Sequence, residues 1–170
     1  MKLILIRHAK SSHKHGLPDH ERPLNKRGKG DAPVIASYMV ALGHIPELVI
    51  SSDARRCLDT WELMAEVLKK SGHEPELQEN RVLYDVAHQN GAWHDFLNVL
   101  RSVPEGVESL ALVGHNPTME DLARSLAGES VTVTTCNVVV LEGEARTWFE
   151  FLGRSGVEVL AHLSPREPRS

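Results

Sequence analysis

The chain is poor in the features that usually place a protein outside the ordinary globular class. Its only cysteines are Cys57 and Cys136. One possible bridge is no disulfide framework, and free thiols suit a reducing compartment. No segment approaches the ~20 consecutive apolar residues of a membrane span. The first apolar run, Leu3–Ile6, is stopped by Arg7, well short of a secretory-signal core. These absences predict a cytoplasmic location. Charge of either sign is not in large excess: 19 Lys and Arg against 23 Asp and Glu leave a net charge of −4. Such a balance offers no bulk attraction for nucleic acid or an anionic membrane, and no partner of either kind is expected. Internal repeats and low-complexity linkers are also lacking. With 41% apolar and 25% charged residues, the 170-residue chain is sized for one domain with a full core. The one abundance is histidine, at ten residues.

Short apolar runs alternate with helical patterns. Leu3–Ile6, Leu48–Ile50 and Leu110–Val113 read as strands buried on both faces, and Glu76–Gln78 as a shorter one. Between them, the spacing predicts helices over 31–42, capped by Asp31 and ended by Gly43. Further helices are expected from the Ser51-Ser52-Asp53 cap cluster to Lys70, over 91–103, and from Pro117 to Ala127. Leu58, Trp61, Leu63, Ala65 and Leu68 are the expected inward face of the second helix. Late in the chain, Val131–Leu141, Thr147–Leu152 and Val157–Leu163 read as strands. The pattern predicts an α/β fold: a three-layer α/β/α domain over 1–163, with a mainly parallel, doubly wound sheet and an antiparallel edge strand. Residues 7–25 form a long polar loop, and 164–170 a flexible tail.

In open α/β sheets ligands sit beyond the carboxyl ends of the strands. Three strands here deliver basic residues to that edge. The first exits into Arg7-His8, the second into Ser51-Ser52 with Arg55-Arg56 one turn later, and the Leu110–Val113 strand into Gly114-His115. Locally converging cations in a net-negative protein suit a small anion such as phosphate. A neutral imidazole with one free ring nitrogen can attack phosphorus, and His8 is the candidate nucleophile. Arg7 and Arg56 would hold the non-bridging oxygens with forked donors, and His115 would add a further cationic donor. With organic cations so placed, no metal or cofactor is required.

Arg7-His8-Ala9-Lys10-Ser11-Ser12 resembles the Arg-His signature of the histidine phosphatase superfamily. Ser51-Ser52-Asp53-Ala54-Arg55-Arg56 with Thr60 resembles its second-arginine segment, and Gly114-His115-Asn116-Pro117 its second-histidine segment. Arg22-Pro23-Leu24-Asn25-Lys26-Arg27-Gly28 and Leu83-Tyr84-Asp85 are similar to the SixA-type phosphohistidine phosphatase branch. The resemblance implies a phosphoglycerate mutase-like fold and a phosphohistidine intermediate on His8 that water hydrolyses. It completes the phosphate pocket with Arg7, Arg56 and His115. The spacing to Thr60 selects Arg56 over Arg55. Ser11 and Asn25 are candidate phosphate neighbours by the same resemblance, Asn25 being equally suited to a turn or cap.

Many members carry a glutamate that protonates a leaving alcohol. Here Asp85 is nearest in position, and capping a backbone amide is an equal alternative for it. A P–N bond needs less acid assistance than an alkoxide, because a protonated imidazole is a good leaving group. The leading reading is therefore a metal-independent phosphohistidine phosphatase acting on a phosphorylated protein. A phosphomonoesterase for a small phosphorylated metabolite is the alternative, and a non-catalytic phosphate-binding protein ranks third. A mutase would need an acid and a longer lid.

The other histidines carry less. His13, His15 and His20 lie in a polar loop without partner cysteines, which favours solvated residues over a metal site. His44, His73 and His94 are expected at the surface, His88 at the pocket border, and His162 in a structural role. Lys26-Arg27-Gly28-Lys29-Gly30 lacks P-loop spacing and reads as a solvated charge run. Cys57 is expected as a buried packing residue.

Overall fold

A computed structural model describes residues 1–14, 16–88, 93–153 and 156–166. The strands are β1 (Lys2–Arg7), β2 (Leu48–Ser51), β3 (Glu76–Glu79), β4 (Ser109–Gly114), β5 (Val138–Glu142) and β6 (Glu158–Leu163). They form one sheet in the order β3-β2-β4-β1-β5-β6. The first four are mutually parallel, β5 runs antiparallel to β1, and β6 antiparallel to β5.

The helices are α1 (Lys26–Ala41), α2 (Arg55–Lys70), α3 (Val82–His88), α4 (Trp93–Arg101), α5 (Thr118–Ala127) and α6 (Trp148–Gly153). Alternation along β1 divides the core in two. Leu3 and Leu5 face Phe96, Leu100, Leu122 and Phe151 of α4, α5 and α6. Ile4 and Ile6 face Ile35, Met39, Trp61 and Met64 of α1 and α2. A strand apolar at every position is what two covered faces require. The result is the expected three-layer α/β/α sandwich.

Four local expectations are corrected. Helix α1 starts at Lys26 instead of Asp31, because Asn25 caps it through Oδ1, which accepts from the Gly28 amide at 2.9 Å. Its first turn carries no apolar residue, so hydrophobic periodicity does not reveal it. The inward face of α2 is Arg56, Cys57, Thr60, Trp61, Met64 and Leu68, while Leu58, Leu63 and Ala65 are only half-buried. The expected strand 147–152 is instead helix α6, which begins at Trp148 just after Thr147. Thr147 Oγ1 accepts from the Glu150 amide at 3.1 Å, Glu150 Oε2 accepts from the Arg146 amide at 2.8 Å, and Trp148 and Phe151 point inward one turn apart. That Thr-x-x-Glu cap outweighs the strand propensity of the aromatics. Finally, of the expected 131–141 strand only 138–141 pairs in the sheet, as part of β5, and 131–137 turns back toward the end of β1.

Gly28 marks where α1 meets the loop after β1. A Cβ there would collide with the Lys10 backbone, whose carbonyl also accepts from the Asn25 amide at 2.9 Å. In the tail, Arg166 pairs with Asp31 at 3.5 Å, and 167–170 lie outside the described residues.

Candidate active site

Strand register places the two key histidines side by side. Arg7 pairs with Gly114 across the parallel β1–β4 ladder, so His8 and His115 step off the same edge together. Their ring centroids are 5.2 Å apart. The His8 amide donates to the Gly114 carbonyl at 3.0 Å, and the Ser52 amide after β2 donates to Val113 at 2.8 Å. Behind them, the Cys136 amide bonds the Arg7 and His8 carbonyls, both at 3.1 Å. Cys136 adopts φ 64 to do so, a left-handed conformation that costs a non-glycine residue about 1–2 kcal/mol.

The Arg56–Thr60 spacing has a direct cause. Thr60 Oγ1 donates to the Arg56 carbonyl at 2.6 Å, one turn back, and accepts from the Ala9 amide at 2.9 Å. One hydroxyl thus ties the loop after β1 to the first turn of α2. Arg56, only 1% exposed, reaches between the histidines. Arg55 points outward and pairs with Asp59 at 2.6 Å.

The hydrogen bonds determine the tautomers. His8 Nδ1 lies 2.8 Å from the Ala9 carbonyl, which only accepts, so Nδ1 carries the proton. Arg56 Nε donates to Nε2 at 3.2 Å, leaving Nε2 with the lone pair. Burial, joined by the charges of Arg56, Arg7 and Arg22, pushes His8 down to about 3 against the opposing pull of the Ala9 bond. His8 is therefore neutral at physiological pH, with its basic nitrogen facing a guanidinium.

His115 is likewise neutral. Its Nε2–H donates to Ser52 Oγ at 2.8 Å, while Nδ1 accepts from Arg56 Nη2 at 3.3 Å. Burial, then the His8, Arg56 and His88 neighbours, hold its pKa far below the ordinary value. The expected cationic donor is thus an acceptor in the free protein. Cys57 sits 3.5 Å from His115 Nε2, and burial pushes its thiol up to about 12, which makes it a packing group.

Arg7 Nη1 donates to the Val133 carbonyl at 2.8 Å. Arg7 Nε is buried with no hydrogen-bond partner among the described residues. A buried unpartnered guanidinium donor is costly unless a ligand completes it.

The loop 7–25 adds one residue that motif reasoning missed, Asp19. A short 3-10 turn, Asp19–Glu21, brings Asp19 onto Arg56. Arg56 Nη2 donates to Asp19 Oδ2 at 3.0 Å and Nη1 to its carbonyl at 2.6 Å. Arg22 Nη2 donates to Oδ1 at 2.6 Å, and the Tyr84 hydroxyl to Oδ2 at 3.0 Å. Burial alone would raise the Asp19 carboxyl. The Arg22 bond, the Arg56 charge and the Tyr84 hydroxyl outweigh it and hold the group well below the usual carboxylate range. Asp19 lies in a Pro-Asp-His-Glu stretch that reads as a turn, and only the fold reveals its role. The nearest sequence signal is Arg22, three residues on, inside the quoted motif.

Ser11 Oγ accepts from Arg22 Nη1 at 3.0 Å, behind this cluster, and Asn25 is occupied as the α1 cap. Asp85 Oδ1 accepts at 3.0 Å from Nε of Arg81, the residue just before α3, and the carboxylate inside the cluster is that of Asp19 instead. His88 borders the pocket as expected, with Nε2 at 3.2 Å from Arg56 Nη2 and its ring stacked on Tyr84 at 4.3 Å.

Of the remaining histidines, His20 pairs with Asp53 at 2.8 Å, and His162 bonds Asn137 at 3.1 Å. His73 and His94 are exposed. His44 is buried, contrary to expectation, in the segment between α1 and β2, where its amide donates to the Met39 carbonyl at 2.9 Å. His15 lies outside the described residues, and among those described no group of three or more His, Cys, Asp or Glu could hold a metal ion.

The paired histidines have a consequence for stability. In the unfolded chain each titrates near 6.5. In the fold both resist protonation far below that. The unfolded chain therefore takes up more protons as pH falls below about 6.5, and stability present above that value is lost toward the folded pKa values. The loss is roughly 1 kcal/mol per pH unit for each histidine. Urea unfolding between about pH 6.5 and 4.5, above the carboxylate range, should show it. A flat profile would contradict the neutral assignment.

A family model of the histidine phosphatase superfamily (branch 1) matches residues 3–84. The uncharacterized protein At3g52155, chloroplastic, of Arabidopsis thaliana is 34% identical over 159 residues, spanning 91% of this chain and 72% of that one. The uncharacterized protein Rv1276c of Mycobacterium tuberculosis is 31% identical over 127 residues, 75% of this chain and 73% of its own. Among solved structures, the "putative phosphohistidine phosphatase SixA" of Agrobacterium tumefaciens is similar with a TM-score of 0.76 at 26% identity, over 96% of this chain and 97% of that one. The protein histidine phosphatase SixA complexed with tungstate gives 0.78 at 20% identity, over 97% of each chain.

Proposed function

The chain belongs to the histidine phosphatase superfamily, and from that premise we propose that it is a phosphohistidine phosphatase. His8 Nε2 takes the phosphoryl group, and water then releases it as phosphate. One observation carries this reading: the lone pair of a neutral, buried His8 lies 3.2 Å from the guanidinium of Arg56. That geometry puts a nucleophile and a forked oxyanion donor on the same small volume. Arg7, with its unpartnered Nε, supplies a second set of donors. His115 changes role on binding, because an arriving phosphate dianion favours its protonated form and turns Nδ1 into a donor.

The preference for a P–N bond has its own support. The carboxylate beside the histidines is Asp19, and it is held ionised. An ionised carboxylate cannot protonate a leaving alkoxide, whereas a protonated imidazole leaves without such help. Asp85 stays the candidate acid for the alternative substrate class, a small alkyl phosphate. No helix among the described residues is long and apolar enough to cross a membrane. We place the reaction in the cytoplasm, in a single catalytic domain over 1–163, with a phosphorylated protein as the partner.

A comparison of kcat/KM on a phosphohistidine peptide, p-nitrophenyl phosphate and sugar phosphates, with and without chelator, tests this. Turnover is expected on the first two, unaffected by chelator, and sugar phosphates should be poor. Efficient sugar phosphate hydrolysis lost in Asp85→Asn would favour the metabolite phosphatase. Strong loss with chelator would contradict a metal-independent mechanism.

A further inference from the structure

We propose that the Asp19 carboxylate is a specificity-determining group that favours substrates whose leaving group carries positive charge, phosphohistidine above all. This rests on the phosphohistidine reading and names the residue that enforces it.

A pocket made only to hold phosphate gains nothing from a carboxylate against its main arginine. Yet Asp19 Oδ2 lies 3.0 Å from Arg56 Nη2 and 3.8 Å from His88 Nε2. Its position is well determined, since Arg22, Arg56 and Tyr84 all donate to it. At the same time its side chain is 43% exposed, so it faces both the guanidinium and incoming solute. A phosphoryl group on Arg56 brings two negative charges beside this fixed one. For a phosphate ester with a neutral alcohol the juxtaposition is repulsive. For phosphoimidazolium it is not, because the cationic ring lies beyond phosphorus on the leaving-group side and its N–H needs an acceptor. Tyr84 is covered by Arg81 and His88, and His88, stacked on it at 4.3 Å and 28% exposed, is the aromatic neighbour such a ring would meet beside the carboxylate.

The step balances without an added acid. His8 Nε2 forms the bond to phosphorus as the bond to the substrate ring nitrogen breaks. The electron pair of that bond returns to the substrate nitrogen. The substrate ring, already protonated on its other nitrogen, departs as neutral imidazole with that N–H held by Asp19. His8, protonated on Nδ1, becomes the new phosphoimidazolium.

The test compares wild type with Asp19→Asn on three substrates: a phosphohistidine peptide, phosphoramidate and p-nitrophenyl phosphate. Phosphoramidate carries a cationic nitrogen without a ring and so separates charge from stacking. Asp19→Asn is expected to lower the ratio of kcat/KM for either P–N substrate to that for the aryl phosphate at least tenfold, with the aryl phosphate value rising. Asp19→Glu, which keeps the charge, should recover part of the ratio, and Asp19→Ser gives the same readout if the asparagine variant does not fold. Equal losses on all three substrates would mean that Asp19 only positions Arg56 and Arg22. Equal gains would mean that it merely obstructs the pocket. Either result overturns the proposal while leaving the phosphohistidine reading standing. A wild-type protein inactive on both P–N substrates overturns both.

Discussion

His8→Ala is expected to lower turnover at least ~10,000-fold on every substrate the wild type accepts, the scale at which loss of a covalent nucleophile is felt. The reason lies in what remains. Arg56 and Arg7 still bind phosphate, but the lone pair that Arg56 Nε faces is gone. Water would have to attack directly, with His115 Nδ1 turned to Arg56 and the Asp19 carboxylate a poor base, because Arg56, Arg22 and Tyr84 all donate to it. Rapid acid-free quenching of wild type with labelled substrate should trap a base-stable, acid-labile phosphoenzyme, and the variant should give none. An alanine variant that retains turnover would move the nucleophile elsewhere and sink the mechanism. Phosphate binding separates the two roles of the site: the variant should still bind tungstate, a tetrahedral dianion that needs the arginines and no nucleophile.

How much of this site can be read from sequence depends on how local its causes are. Arg7-His8 and Gly114-His115 are legible because each follows a wholly apolar run, and parallel strands align their exits. Arg56 is legible through Thr60, because a hydroxyl one helical turn away is a local signal with a local cause. Asp19 is not. Nothing near it in the chain distinguishes it from a turn aspartate, and its partners Arg56 and Tyr84 lie 37 and 65 residues away. The same holds for α3, whose seven residues are too few for helical periodicity to show. In the fold, the sandwich is legible from β1 alone, while the start of α1 and the helical state of 148–153 rest on caps. Asn25 and Thr147 were present as signals, yet a polar first turn hid one and aromatic strand propensity masked the other. The tautomers and the neutral state of His115 follow from burial, which no spacing reveals.

Arg56→Lys should be the second severe lesion, with kcat/KM falling ~100- to 1000-fold, the range for losing one oxyanion donor or more. The charge is retained, so a purely electrostatic role would predict a much smaller effect. Geometry is what lysine cannot supply. Arg56 presents Nε to His8, Nη1 to the Asp19 carbonyl, and Nη2 to Asp19 Oδ2 and His115, with His88 close beside it. A single ammonium on a flexible stem cannot meet these directions together, nor grip two phosphate oxygens as a fork does. The neighbouring Arg55 provides the contrast. It is exposed and paired with Asp59, so Arg55→Lys should leave kcat/KM within about twofold. If the two lysine variants lose activity alike, the assignment of Arg56 over Arg55 fails. If Arg56→Lys is as active as wild type, the pocket needs only charge, and the forked contact to phosphate is wrong.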